Sequence, residues 1–246
     1  MDELASEVHV WTASLGVSRS TLSEFASTLA PAELERAARF HFERDRHRFI
    51  AGRGLLRALL GRYLQEDPRA LEFTYAPHGK PAVGGVFAGT GLEFNLAHCE
   101  ELALIAITRT GALGVDLERV RKLDEAEALV DRFFSPRESA AFRALPEDQK
   151  PMAFFNLWTR KEAWLKATGE GIAHSLHRVE VSFLPGEPAR LLRLPKDLQS
   201  GEPWELHDLA PAQGFAGALA VAATNIRVRN RRWASDRKAR QVEELT

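Results

Sequence analysis

The chain has 246 residues, 45% hydrophobic and 27% charged, with 33 Lys and Arg against 34 Asp and Glu for a formal net charge of −1. This is the composition of a soluble globular protein of one or two domains, and it offers no global attraction to nucleic acid or to an anionic membrane. A single cysteine, Cys99, excludes an intrachain disulfide and a multi-cysteine metal cluster and fits a reducing compartment.

The longest clean apolar run, residues 102–107, is too short to span a bilayer, and the N-terminus has neither a basic start nor an apolar signal core, so a cytoplasmic protein is expected. Residues 8–15 read as a first strand. Pro31, Ala32 and Glu33 open a helical pattern, since Pro suits a first turn whose N–H groups are unpaired anyway. A longer helix covers residues 47–64, where Leu55, Leu56, Leu59, Leu60, Tyr63 and Leu64 recur at helical spacing before Asp67-Pro68. Residues 73–75 form a short strand, residues 78–81 a turn, and strands follow at 92–96, 102–108 and 112–117. Helix returns at 123–134. Ser135, Pro136 and Glu138 make a capping box for another helix, and a long one runs from 152 to 168 and stops at Gly169. Strands are predicted at 179–183, 190–194, 204–209 and 217–223.

Arg39-Phe40 with the helix after Phe49 echo Arg132-Phe133-Phe134 with the helix after Phe154, so the chain reads as a loose two-fold repeat. The expected division is an N-terminal half over 1–112, a C-terminal half over 113–226, and a charged, solvated tail over 227–246. No aromatic ladder accompanies the arginines of that tail, so nucleic-acid binding is not expected.

Three segments carry chemistry. In Gly114-Val115-Asp116-Leu117-Glu118, residues two apart on a strand face one side, so the two carboxylates point together. Such a pair suits Mg²⁺, or else is an ordinary acidic strand edge. In the helix from Phe154 to Lys166, an apolar arc of Phe154, Phe155, Leu157, Trp158, Trp164 and Leu165 contains Lys161 near its middle, Glu162 at its edge and Lys166 a turn later. Charges inside an apolar arc need compensation, from an internal ion pair or from a charged ligand. In Phe94-Asn95-Leu96-Ala97-His98, His98 at a strand end either meets phosphate or is an ordinary satisfied histidine. Cys99 faces away from His98, which argues against a thiol nucleophile. Arg36, Arg39, Arg44, Arg46, Arg48 and Arg53, with Lys80, suit a polyanionic ligand or a solvated helix face.

Taken in order, Gly79-Lys80-Pro81, Phe94 to His98, Gly114 to Glu118, Arg132-Phe133-Phe134-Ser135 with Glu138, and Trp158 with Lys161-Glu162-Ala163 and Lys166 resemble the surfactin-type 4′-phosphopantetheinyl transferases. The segment around His47, Arg48, Gly52, Leu55 and Arg57 fits as well, and together these cover about residues 30 to 175. The resemblance implies a mixed α/β (α+β) fold of two similar halves related by a pseudo-two-fold axis, with the active site in the cleft between them. It implies transfer of the 4′-phosphopantetheine arm of coenzyme A to a serine hydroxyl of an apo acyl, peptidyl or aryl carrier protein, with release of adenosine 3′,5′-bisphosphate. The carriers would belong to fatty-acid, polyketide or nonribosomal peptide synthases, and the chain would act as a monomer.

By position, the resemblance makes Asp116, Glu118 and Glu162 the Mg²⁺ ligands. It sets Lys161 and Lys166 at the diphosphate, His98 and Lys80 at coenzyme A phosphates, and Arg48 and Arg36 at the nucleotide end. Glu162, or water held at the metal site, would take the serine proton, with Asp116 and Lys166 also in the catalytic set. Glu138 matches an acid without a defined duty. Two positions depart from the family pattern: Ala97 stands where Ser is usual, and Glu33 where some relatives carry a basic residue. Two other functions fit the same acids and lysines: a Mg²⁺-dependent nuclease or phosphohydrolase, and an inactive relative that only binds.

Overall fold

The computed structural model describes residues 3–169, 176–194, 203–234 and 243–244. The first half runs β1 (Glu7–Ser14), α1 (Arg19–Ala26), α2 (Pro31–Ala38), α3 (Glu43–Leu64), a β2 (Phe73–Tyr75) and β3 (Pro81–Val83) hairpin, β4 (Glu93–Cys99) and β5 (Leu102–Thr108). The second repeats the plan with β6 (Leu113–Arg119), α4 (Ala126–Phe133), α5 (Pro136–Arg143), α6 (Lys150–Thr168), a β7 (Glu180–Val181) and β8 (Leu191–Arg193) hairpin, β9 (Glu205–Leu209) and β10 (Phe215–Val221). Two further strands, β11 (Arg227–Arg232) and β12 (Glu243–Glu244), follow.

The sheet order shows the repeat. The first half contains the sequence β1-β5-β4 and the second β6-β10-β9, so in each the opening strand pairs with the last, and the last with the one before it. All these pairs are antiparallel. A separate apolar core fills each half. Leu55, Leu56, Leu59 and Leu60 of α3 pack on Phe94, Ile105 and Ile107, while Phe154, Leu157 and Trp164 of α6 pack on Val130, Phe142 and Ala218. A third cluster joins the halves, with Val8, Val10, Leu104 and Ala106 facing Val115, Leu117, Leu219 and Val221. Burial of apolar area on this scale is what holds the two sheets at a fixed angle.

Two differences from the sequence reading have physical causes. Residues 227–232 are a strand and not a solvated tail: β11 pairs in parallel with β1, from Glu7 opposite Arg227 to Thr12 opposite Arg232. The arginines that suggested solvation have partners along β1. Arg227 and Arg229 donate to buried Glu7, and the Arg231 guanidinium lies over the Trp11 ring. The free edge of β1 is thereby covered by β11, which pairs in turn with β12. Residues 235–242 and 245–246 of the expected tail lie outside the described residues. The other addition is α1, whose N-cap Ser18 accepts from the Thr21 amide at 3.2 Å.

Candidate active site

The site forms where α6 crosses β6. Contact this close needs a residue without a side chain: a Cβ on Gly114 would lie 2.2 Å from the Ala163 carbonyl oxygen and 2.4 Å from the Ala167 nitrogen. With Gly there, β6 presents Asp116 and Glu118 to the helix face that carries Glu162 and Lys166. Lys166 Nζ donates to Asp116 Oδ1 at 2.6 Å. Asp116 and Glu162 are only 5% and 3% exposed. Their remaining buried oxygens, Asp116 Oδ2 and Glu162 Oε1, have no hydrogen-bond partner. Glu118 is half-buried and accepts a weak contact from the Cys99 thiol at 3.7 Å.

Electrostatics shows the acids share one space. Burial, then the charges of Asp116 and Glu118, push Glu162 up to about 7 against the pull of Lys166. Burial raises Asp116 despite Lys166, and burial with the Asp116 charge raises Glu118. Lys166, with Arg121 acting on Glu118, does not offset the burial and mutual repulsion of the three carboxylates, since all three are pushed up. The donor atoms are not already gathered as a metal cage. Among the described residues, the three donors within 4.8 Å of one another belong instead to Glu3, Glu7 and His9. That group is no metal centre, since Glu7 is already neutralised by Arg227 and Arg229.

A stability prediction follows from Glu162. A carboxylate with a folded-state pKa of about 7 and an ordinary value of 4.5 binds more protons folded than unfolded between those limits. Its contribution is most favourable below pH 4.5 and is lost as pH rises through 7. Glu162→Gln should match the parent in melting temperature near pH 4.5 and exceed it at pH 8 when both are free of metal and coenzyme A. A constant difference across that range would show that Glu162 titrates normally.

From the first half, His98 stands exposed at the end of β4. Partial burial of its ring, then the charges of Arg48 and Lys166, lower its pKa. Arg48 itself donates to Glu101 at 2.8 Å. Arg36 lines a separate cavity of about 680 Å³ with Arg39, Arg53, Phe40 and Tyr75.

One expected ligand residue is corrected, and a second is found with a structural role. Lys161 does not face the acids. It is 1% exposed and donates to Glu138 Oε2 and to the Leu176 carbonyl, both at 2.6 Å. One residue from Glu162 means a turn of about 100° round the helix, which aims Lys161 at the core. Of the two sequence readings for this charge, the internal ion pair is the one found. Glu138 thereby gains a duty: it also accepts from the Ser135 and Val181 amides at 3.0 Å each. Lys80 spends two of its three donors on the Leu113 and Ala167 carbonyls, at 3.1 and 2.8 Å, and so straps the β2–β3 hairpin to β6 and α6.

The two departures from the family pattern are also placed. Glu33 is buried, caps α2 by accepting from the Ala30 amide, and pairs with Arg53 and Arg57. Ala97 packs in the cluster between the halves. One residue of the seam received no role from the sequence: Asn95 accepts from the Val115 amide at 3.0 Å. A polar amide set between Phe94 and Leu96 in a strand is the signal that could have marked it.

The architecture is two related halves, with a cluster of Asp116, Glu118, Glu162 and Lys166 where α6 crosses β6 in the second half. Comparison with known proteins gives the family. Residues 112–222 match the 4′-phosphopantetheinyl transferase superfamily, and residues 11–110 match the 4′-phosphopantetheinyl transferase N-terminal family. The chain is 46% identical over 219 residues to the 4′-phosphopantetheinyl transferase HetI of Nostoc sp., covering 89% of each protein. It is 32% identical over 189 residues to a phosphopantetheinyl transferase of Thraustochytrium sp., covering 72% of this chain and 65% of that one. It is 27% identical over 165 residues to the 4′-phosphopantetheinyl transferase Sfp of Bacillus subtilis, covering 67% of this chain and 71% of that one. The chain belongs to the 4′-phosphopantetheinyl transferase superfamily. It is a transferase that moves the phosphopantetheine arm of coenzyme A to carrier proteins. Among the described residues no helix is long and apolar enough to cross a membrane.

Proposed function

We propose that Asp116, Glu118 and Glu162 hold Mg²⁺ and that the cleft beside them carries the transfer. The observation behind this is the pair of orphaned buried oxygens, Asp116 Oδ2 and Glu162 Oε1, in a cluster whose one ion-paired lysine, Lys166, is held by Asp116. Hard carboxylate oxygens short of positive charge are the donor set Mg²⁺ takes, usually one or two at a time beside substrate phosphates. When bound, the ion supplies charge neutralisation at the diphosphate.

The chain's own residues do the rest. The serine oxygen attacks the β-phosphorus of coenzyme A, the bond from that phosphorus to the bridging oxygen breaks, and adenosine 3′,5′-bisphosphate leaves. Glu162, or water held beside it, takes the serine proton. Lys166 offers its ammonium to the leaving phosphate. His98 and Arg48 meet phosphates from the first half, and Arg36 meets the nucleotide end. Phosphoryl transfer depends on placement and electrostatics, so no covalent enzyme intermediate is needed. Acyl, peptidyl and aryl carriers of fatty-acid, polyketide and nonribosomal peptide synthases are the substrates this reading names. A cytoplasmic monomer suffices for it, because one chain supplies both sides of the cleft.

The test is the intact mass of an apo carrier protein after incubation with this protein, coenzyme A and Mg²⁺, with and without chelator. A chelator-sensitive gain of one phosphopantetheine arm is expected. Asp116→Ala should lose the gain and the response to Mg²⁺ together. A fully active Asp116→Ala protein, or transfer indifferent to chelator, would contradict the metal assignment.

A further inference from the structure

The strand that carries the acids is closed on one side by side chains. β6 pairs with β10 along one edge. Along the other it lies against β4, yet the two belong to different sheets with no ladder between them. Unpaired backbone groups in a buried seam are costly, so each needs a partner. Two residues of the first half provide partners for two of them. Lys80 takes the Leu113 carbonyl at 3.1 Å, and the Asn95 side-chain oxygen takes the Val115 amide at 3.0 Å. Asn95 is itself buried in β4, and Val115 directly precedes Asp116.

We propose that Asn95 is a positioning residue for the transfer reaction: its amide oxygen fixes the β6 backbone at Val115, and so sets the carboxylates of Asp116 and Glu118 against Glu162 and Lys166. This rests on the reading of those acids as the Mg²⁺ group. The chemistry of the side chain suits the task. An Asn oxygen accepts the amide proton without adding charge beside three acids. A Leu of similar size would fill the space but leave the Val115 N–H buried and unpaired. The orphaned amide would draw β6 out of register with the α6 face, and displacements of about 1 Å are enough to cost most of the rate in such a site.

The experiment uses the full-length protein with Asn95→Leu and Asn95→Asp. Mg²⁺ binding in the presence of coenzyme A is measured by calorimetry, alongside carrier turnover. Asn95→Leu should weaken Mg²⁺ by about 10- to 100-fold, the range typical for residues that orient metal ligands. It should lower kcat while leaving the KM for coenzyme A little changed. Asn95→Asp keeps an acceptor for the amide and should bind Mg²⁺ at least as tightly as the parent. A folded Asn95→Leu with parental Mg²⁺ affinity overturns the proposal. So does Asn95→Asp with weakened Mg²⁺ affinity, which can be read even where the Leu variant does not fold. Failure of the underlying reading looks different: the parent takes up no Mg²⁺ with coenzyme A, or Asp116→Ala takes it up equally well, and the positioning role then falls with it.

Discussion

Glu162→Gln is expected to lower carrier modification by about 10³-fold, equivalent to about 4 kcal/mol of transition-state stabilisation, with the fold intact. The size follows from its two duties. It is the carboxylate read as both Mg²⁺ ligand and acceptor of the serine proton, and one of its oxygens is buried without a partner in the acidic cluster. The amide is close in shape and holds no charge, so it relieves the crowding of three carboxylates and does not strain α6. Loss of rate without loss of stability separates a chemical role from a structural one. Single-turnover mass spectrometry against an apo carrier, with circular dichroism on the same sample, makes the measurement. Turnover near the parental rate would remove Glu162 from the mechanism.

Lys161→Met is the opposite case. It should cost about 3–5 kcal/mol of stability, the range for breaking one partner out of a buried pair. Lys161 lies between Glu138, the Leu176 carbonyl and the Phe134 ring, with 1% of its surface exposed. Burial lowers its pKa even with Glu138 alongside, so the ammonium is held only because its partners are in place. Removing it leaves the Glu138 carboxylate with the Ser135 and Val181 amides and no cation. The double variant with Glu138→Gln should recover part of the loss, which a double-mutant cycle in urea reads directly. Coenzyme A affinity of the folded protein should be close to parental. Normal stability with weakened coenzyme A binding would return Lys161 to the phosphates.

The adjacent residues Lys161 and Glu162 show where reading a helix from its sequence stops. Both intrude on the apolar arc of α6, and the sequence requires that each be compensated. It does not say by what, because the groups that answer come from elsewhere in the fold: Glu138 from α5 pairs with Lys161, whereas Glu162 faces Asp116 and Glu118 from β6, which repel its charge, and only Lys166 pulls the other way. The same limit applies to Lys80. Its place after Gly79 was visible, but two of its three donors are taken by carbonyls of the other half, 33 and 87 residues away in the chain.

Local rules determined much. Apolar spacing gave α3 and α6, the Ser135–Glu138 box gave the start of α5, and the alternation in Gly114 to Glu118 put two acids on one face of β6. The ordered motifs pointed to the transferase family, and the echo between halves is the repeated strand order of the two sheets. These features depend on neighbours in sequence, where periodicity and capping act. Tertiary structure decided the rest. Only packing turned 227–232 into a strand, since its arginines need Glu7 and Trp11 of β1 to be covered. Only packing at Gly114 brought Lys166 onto Asp116, and only the seam between the sheets gave Asn95 its partner. Long-range pairing satisfies charges and backbone groups that sequence marks as needing partners, and which partner answers is fixed by where the two halves meet.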